Sequence, residues 1–302
     1  MKRATLGFVT IVAILSATAG ADIFDDGGTH NVTSDVGSVY IYDGSSGPTS
    51  VNFQTGSSAS EVWAYNHSQV NVNDGLISGS VNNQDQSTMT MNGGKIASWT
   101  YLFGDSQFTL NNGTIEGWVY ASSGTSQFNM YGGTITGAVM TPGANSTTNL
   151  HGGTIGEHLY AYNRVHLDGT SVLGNLYAYD GSMVSIHSGS FGEETYHGIY
   201  ANEGSQIDIY GGNMANRLGV MNGGRVDIYG SNFNKPFGAL TSSGTLTGTL
   251  SNGDLISVNY GLYGDTATLV LHEHSVVPLP GAVLLGSLGL GIAGWRLRRK
   301  ES

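Results

Sequence analysis

Asp208 in the segment QIDIYGG and Asp227 in the segment RVDIYGS occupy equivalent positions, nineteen residues apart, and both have neighbours that could take part in catalysis. Alternation along extended strands places Asp208 and Asp227 on the same face of adjacent segments. Paired carboxylates can share a calcium ion or act as the acid and base of a glycosidase, and Arg225 beside them can stabilise developing negative charge. The same pair is also typical of a solvated acidic surface. We predict no catalytic site here and keep Asp208, Asp227 and Arg225 as the alternative.

A second group of polar residues contains histidine. His151, Asp168 and His187 occupy equivalent positions of three consecutive segments, and His166 lies in the neighbouring position. Stacked strands about 4.8 Å apart bring Asp168 near both flanking histidines. That spacing permits a His–Asp hydrogen bond or a divalent metal site. Because asparagine fills the equivalent position elsewhere, the histidines are also compatible with a polar ladder, and we predict no metal.

Tyrosines form the third group, since Leu-Tyr-Ala-Tyr occurs at 159–162 and again at 176–179. In an extended chain both tyrosines point away from the face that holds leucine and alanine. Flat aromatic surfaces suit the apolar faces of sugar rings, but stacked rings also stabilise one another without any ligand. Both interpretations stay open. The candidate glycan contacts are Trp63, Tyr101, Tyr120, Tyr160, Tyr162, Tyr177, Tyr179 and Tyr200.

All three groups belong to one internal repeat of about 19 residues. One column of the repeat holds the small residue that follows a short turn. Its members are Gly56, Gly75, Gly94, Gly113, Gly133, Gly153, Thr170, Gly189, Gly212 and Ser231. Such a unit is too short to bury its own alternating apolar residues, so neighbouring units must share them.

The repeat predicts an all-β fold, a single-stranded parallel β-helix of about ten coils over residues 49–240. We expect a right-handed coil. An antiparallel sandwich would need hairpin turns rather than a constant period. The repeats resemble those of parallel β-helix, autotransporter-like proteins. Segments 22–48 and 241–274 break the period and are predicted to cap the exposed strand edges at either end.

The first 21 residues have the pattern of a secretory signal peptide. Lys2 and Arg3 precede an apolar run, and the small residues Ala19 and Ala21 mark a cleavage site. This pattern predicts export through the secretion translocon.

The last segment, 275–302, combines a proline motif, an apolar stretch and a basic end. Gly281–Trp295 contains 15 uncharged residues, fewer than the roughly 20 that comfortably span a bilayer, and is expected to form a short hydrophobic helix. A plain single-pass anchor is the alternative to a sorting signal. The motif is Val277, Pro278, Leu279 and Pro280, and the basic residues are Arg296, Arg298, Arg299 and Lys300.

This tail resembles the PEP-CTERM sorting signal of Gram-negative bacteria, with Leu279 in place of the family's usual glutamate. The resemblance covers only about the last 27 residues. It implies transient anchoring in the inner membrane, cleavage by an exosortase-type enzyme, and delivery to the cell surface or the extracellular matrix.

Charge and composition narrow the function further. Between the two terminal segments the chain has five basic and 21 acidic side chains, a net charge of −16, which repels nucleic acid. The chain has no cysteine, which excludes disulfides and thiolate sites. We therefore predict an exported, non-enzymatic structural or adhesive solenoid that contacts exopolysaccharide and has no cofactor, with calcium as a candidate cation. The alternative is a carbohydrate-active β-helix enzyme, a polysaccharide lyase or glycoside hydrolase.

Overall fold

The computed structural model describes residues 20–143, 145–192, 197–214 and 216–274. These residues are all-β and wind into a parallel β-solenoid of about 11 turns, which confirms the predicted fold class. Within the described ranges no helix has the length and apolarity to cross a membrane. The predicted sorting segment, with its short helix, and all but the last two residues of the predicted signal peptide lie outside those ranges.

Each coil between the two ends contributes one strand to each of three sheets, the end coils lack a sheet 2 strand, and successive coils pair in parallel. Sheet 1 consists of Thr29–Val32, Ser50–Phe53, Gln69–Val72, Thr88–Met91, Gln107–Leu110, Gln127–Met130, Thr147–Leu150, the first parts of Arg164–Val172 and Met183–Phe191, Gln206–Ile209, Arg225–Ser231 and Thr268–Glu273. Sheet 2 consists of Ser58–Ala59, Leu76–Ile77, Lys95–Ile96, Thr114–Ile115, Thr134–Ile135, Thr154–Ile155, the second parts of Arg164–Val172 and Met183–Phe191, and Asn213–Met214. Sheet 3 consists of Asp22–Phe24, Ser38–Ile41, Glu61–Ala64, Val81–Asn83, Thr100–Leu102, Val119–Ala121, Val139–Thr141, Leu159–Ala161, Leu176–Ala178, Gly198–Ala201, Arg217–Met221 and Leu255–Tyr263.

The core lies inside the coil, where the inward residues of all three sheets meet. Equivalent residues of successive coils stack in columns: Phe108 and Phe128 of neighbouring coils are both buried, with ring centroids 5.4 Å apart. In the repeated tetrapeptide, the leucine and alanine at 159 and 161 are buried and both tyrosines face outward, as predicted. Burying these columns against neighbours is what holds successive coils together.

The turn after each sheet 1 strand explains the glycine column. Gly133 has a φ of 79°, in the left-handed region that disfavours residues with a Cβ. A Cβ at this position would also lie 2.7 Å from the carbonyl oxygen of Gly113 in the preceding coil. Conformation and close approach of the backbones both require glycine at position 133.

The ends of the solenoid differ from the predicted domain boundaries. Residues 22–48 do not form a separate cap: Thr29–Val32 pairs in register with Ser50–Phe53, so the ladders already run through this segment. Three strands lie after residue 240, and two of them continue the parallel ladders. Leu255–Tyr263 pairs with Arg217–Met221 of sheet 3, and Thr268–Glu273 pairs with Arg225–Ser231 of sheet 1.

Two antiparallel strands complete the closing segment. Gly244–Leu250 pairs with Leu255–Tyr263, and Gly238–Leu240 pairs with Thr268–Glu273. Sequence reasoning separated both ends from the repeat because their loops have other lengths, although their strands keep the same alternation.

Two leucine substitutions test the packing of the coil. Leu110 is fully buried in sheet 1, whereas Leu255 is 79% exposed in a strand of sheet 3. We expect Leu110→Ala to lower the free energy of unfolding by about 2–5 kcal/mol and Leu255→Ala by less than about 0.5 kcal/mol. Urea unfolding measures both. Equal losses in the two variants would contradict the assignment of the inner face.

Candidate functional site

The outward side of sheet 3 carries aromatic side chains on most of its coils, interrupted at Asn82 and Met140, and this surface is called the aromatic face. All eight predicted glycan-contact candidates lie on it. The face consists of Tyr40, Tyr42, Trp63, Tyr65, Trp99, Tyr101, Phe103, Trp118, Tyr120, Tyr160, Tyr162, Tyr177, Tyr179 and Tyr200. Because side chains two residues apart point the same way in a strand, one coil can present up to three of these positions.

Sequence reasoning missed two tryptophans of this face. Trp99 and Trp118 each lie two residues before a tyrosine of the predicted column, and their ring centroids are 5.9 Å apart. Trp99 is 42% exposed. The signal that would have found them is the same two-residue alternation, extended one step before the strand begins.

Rings of successive coils lie face to face. The centroids of Tyr160 and Tyr177 are 5.5 Å apart at an interplanar angle of 10°, and those of Tyr177 and Tyr200 are 5.3 Å apart at 22°. The flat faces of inner rings are therefore covered by their neighbours, and their edges and hydroxyls turn to solvent. This contact pattern is what mutual stabilisation of cross-strand rings requires.

Burial raises the pKa of Tyr160 and of Tyr177 above the ordinary value, and neighbouring tyrosines add to the effect. Both phenols therefore remain protonated at neutral pH. Each edge can both donate and accept a hydrogen bond.

The stack ends at a cleft of about 340 Å³ near the C-terminal end of the aromatic face. Gly219 and Gly261 pair across two coils and form its floor. The ring of Tyr200 leans over Gly219, where an added Cβ would lie 2.5 Å from the ring. Tyr263 borders the other side and is 58% exposed. Among the described residues the stacked rings of this row end at Tyr200, and Asn259 supplies a polar group to the lining.

The histidine group on sheet 1 differs from its predicted arrangement. The register shifts between Leu167 and Asp168, so Asp168 pairs with Ser188 rather than with His187. His187 instead stacks on Tyr210, with ring centroids 4.8 Å apart. The predicted stacking of Asp168 between two histidines is therefore wrong, because a bulge in the strand is invisible to a constant period.

His166 takes the place of His187 in this group. One potential ligand atom from each of His151, His166 and Asp168 lies within 4.8 Å of the other two. Burial lowers the pKa of His166, and the neighbouring His187 and His151 lower it further, which favours a neutral imidazole.

The predicted carboxylate pair does lie side by side, because Asp208 and Asp227 pair in register on adjacent coils. Asp227 is only 2% exposed. Arg225 Nη2 donates a hydrogen bond to its Oδ1 at 2.6 Å, and His272 Nε2 donates to the same oxygen at 2.6 Å in the tautomer that carries a proton there. Arg225 Nε donates to Oδ2. Asp227 thus joins the closing strand to the last repeat.

Comparison with models of known protein families, with curated proteins and with solved structures finds no match to this chain.

Acid titration tests the contacts of Asp227. Burial raises the pKa of Asp227, but the hydrogen bonds and charges of Arg225 and His272 outweigh it and hold the pKa below the ordinary value. A carboxyl with a lowered pKa stabilises the fold fully above its unfolded pKa of about 3.9, and that contribution is lost as pH falls through the folded pKa.

We expect Asp227→Asn to lower the free energy of unfolding at pH 7 by about 1–2 kcal/mol, since the partners are partly exposed to screening solvent. The gap to the wild type is expected to stay constant from pH 7 to 5 and to shrink below about pH 4. Urea unfolding over this pH range measures it. Asp208→Asn is the control and should cost less, since Asp208 is bonded by Gln206 alone within the described contacts. A gap that persists unchanged well below pH 3 would refute the ion-pair interpretation.

Proposed function

We propose that this protein is an exported structural and adhesive solenoid of a bacterial surface or extracellular matrix, which contacts polysaccharide through the aromatic face. The observation that carries the proposal is the concentration of tryptophan and tyrosine on one side of the coil. All three tryptophans among the described residues, Trp63, Trp99 and Trp118, belong to this face. Mutual stacking accounts for ordered rings. Beyond this mutual stacking, large amphipathic rings that remain partly exposed to solvent are typical of binding surfaces.

The geometry of the face suits a linear polymer of hydroxylated rings. Coils repeat at about 4.8 Å, so the phenol and indole edges form rows of hydrogen-bonding groups along the solenoid, interrupted at the coils that carry Asn82 and Met140. A polysaccharide likewise presents hydroxyls at regular intervals. Many weak contacts to one chain add up to useful avidity without a deep pocket. The cleft next to Tyr200 is the place where a sugar ring can also pack against the last described ring of the stack.

Charge favours a neutral polysaccharide over an anionic one. The net charge of −16 between the terminal segments repels polyanions at long range. Neutral sugar rings escape this repulsion and still use hydrogen bonds and ring contacts.

Export and sorting follow from the two terminal segments. The signal-peptide pattern supports passage through the secretion translocon. The PEP-CTERM-like tail supports transient anchoring in the inner membrane and processing by an exosortase-type enzyme of a Gram-negative bacterium.

The second candidate function is that of a carbohydrate-active enzyme acting through Asp208 and Asp227. The in-register pairing of the two carboxylates favours it. Against it stand the hydrogen bonds that tie both oxygens of Asp227 to Arg225 and His272, because a catalytic carboxylate must be free to exchange protons or attack. Release of reducing sugar from a polysaccharide, abolished by Asp208→Ala, would replace the adhesive proposal with the enzymatic one.

Matched tyrosine substitutions test glycan contact. Tyr177 lies between two rings of the aromatic face, and Tyr210 lies between His187 and Tyr229 on sheet 1. We expect Tyr177→Ala to weaken binding of soluble neutral β-1,4- or β-1,3-glucan by roughly fivefold, corresponding to about 1 kcal/mol, and Tyr210→Ala to leave it unchanged. Affinity electrophoresis measures the binding, and thermal unfolding checks that both variants lose similar stability. Binding weakened equally by both, or no binding of either glucan by the wild type, would count against the proposal.

Mass spectrometry of the protein recovered from its host tests the proposed route. We expect an N-terminus directly after Ala21 and a C-terminus near Pro278–Pro280 in protein taken from the surface or matrix. Replacing both prolines with alanine is expected to leave the chain in the membrane fraction with its basic end intact. An unprocessed C-terminus in surface material would favour the plain single-pass anchor.

A further inference from the structure

A group of three potential metal ligands lies on the outward side of sheet 1, away from the aromatic face. His166 and Asp168 come from one strand, two residues apart, and His151 follows the strand of the preceding coil. One potential ligand atom of each lies within 4.8 Å of the other two. Changes of rotamer are still needed to bring all three ligand atoms within bonding distance of one ion, because metal–nitrogen and metal–oxygen bonds are about 2.0–2.2 Å.

Neighbouring hydroxyls already orient two of these side chains. His166 Nδ1 lies 2.9 Å from Ser185 Oγ, so Nε2 of the same imidazole is the nitrogen that can coordinate a metal. Ser188 Oγ donates to Asp168 Oδ1 at 2.9 Å, so the second carboxylate oxygen can coordinate. Hydrogen bonds of this kind hold the tautomer and direction of a metal ligand before the metal arrives.

The ring of His151 is positioned by stacking rather than by a hydrogen bond. It lies parallel to Tyr131, with centroids 5.0 Å apart and an interplanar angle of 11°. His187 packs against the far side of His166, with centroids 4.8 Å apart. The group therefore sits inside a row of ordered rings, which limits the entropy lost when an ion binds.

We propose that His151, His166 and Asp168 form a binding site for a divalent transition metal of the zinc class. Two imidazoles and one carboxylate suit zinc, whereas calcium takes six to eight oxygen ligands. Solvent completes the coordination, because His151 and Asp168 are both exposed. The acidic chain favours accumulation of cations around it.

Calorimetric titration of the full protein with zinc chloride tests the site. We expect one zinc ion per chain to bind most tightly, and calcium chloride neither to bind there nor to displace zinc. His166→Ala should weaken this binding at least about tenfold. His187→Ala is the matched control, because it removes a ring from the same row without removing a ligand, and it should weaken zinc binding far less than His166→Ala does.

Asp168→Asn provides a second variant that keeps the shape of the side chain and an acceptor for Ser188. We expect it also to lose zinc affinity at least about tenfold while its melting temperature without metal stays near that of the wild type. Substitution with cobalt(II) gives a separate readout, a visible absorption band that appears in the wild type and His187→Ala and is lost in Asp168→Asn. Equal zinc affinity in wild type, Asp168→Asn and His166→Ala, or equal loss in His187→Ala, would overturn the proposal.

Discussion

In-register parallel pairing of each coil on the next is the constraint on which the whole molecule depends. Because the strands stack about 4.8 Å apart, every side chain has its equivalent from the neighbouring coil as its nearest partner. Only residues that tolerate their own kind can fill such columns. Asparagine does so through amide ladders, as in the 2.8 Å bond from Asn111 to Asn92, and aromatic rings do so by stacking. Repeated charges would repel at this distance, which accounts for a charged fraction of only 11%.

The same constraint decides how much of the structure could be predicted from the sequence. A constant period predicted the glycine column, the inward columns and the outward tyrosines at 160 and 177, because each depends only on the repeat. The bulge at Asp168 depends on how one shortened coil turns its corner, and no period encodes that. The burial of Asp227 depends on His272, 45 residues later in a strand with no repeat signature. Trp99 and Trp118 obeyed the alternation but lie before their strands begin.

Repetition also separates the surfaces by sheet. A residue type that recurs at one position of the repeat becomes a row along the whole body, so aromatic rings gather on sheet 3 while asparagines, histidines and three tyrosines gather on sheet 1. Each row is ordered by its own internal contacts before any ligand arrives. The ordering cost that usually opposes binding to long flexible side chains is thus met during folding. Stacking covers the faces of the rings. A ligand therefore contacts the ring edges and the end of the stack.

The antiparallel strands after residue 237 have a consequence for the molecule as a polymer. Stacked parallel coils have the spacing of amyloid, and an uncovered last coil would template another chain. Gly244–Leu250 occupies the outer edge of Leu255–Tyr263, and Gly238–Leu240 occupies that of Thr268–Glu273. An incoming parallel strand finds part of each edge, residues 255–260 and 269–271, taken by a strand of opposite direction. The closing segment therefore fixes the length of the body and keeps a cross-β architecture from growing into a fibre at that end.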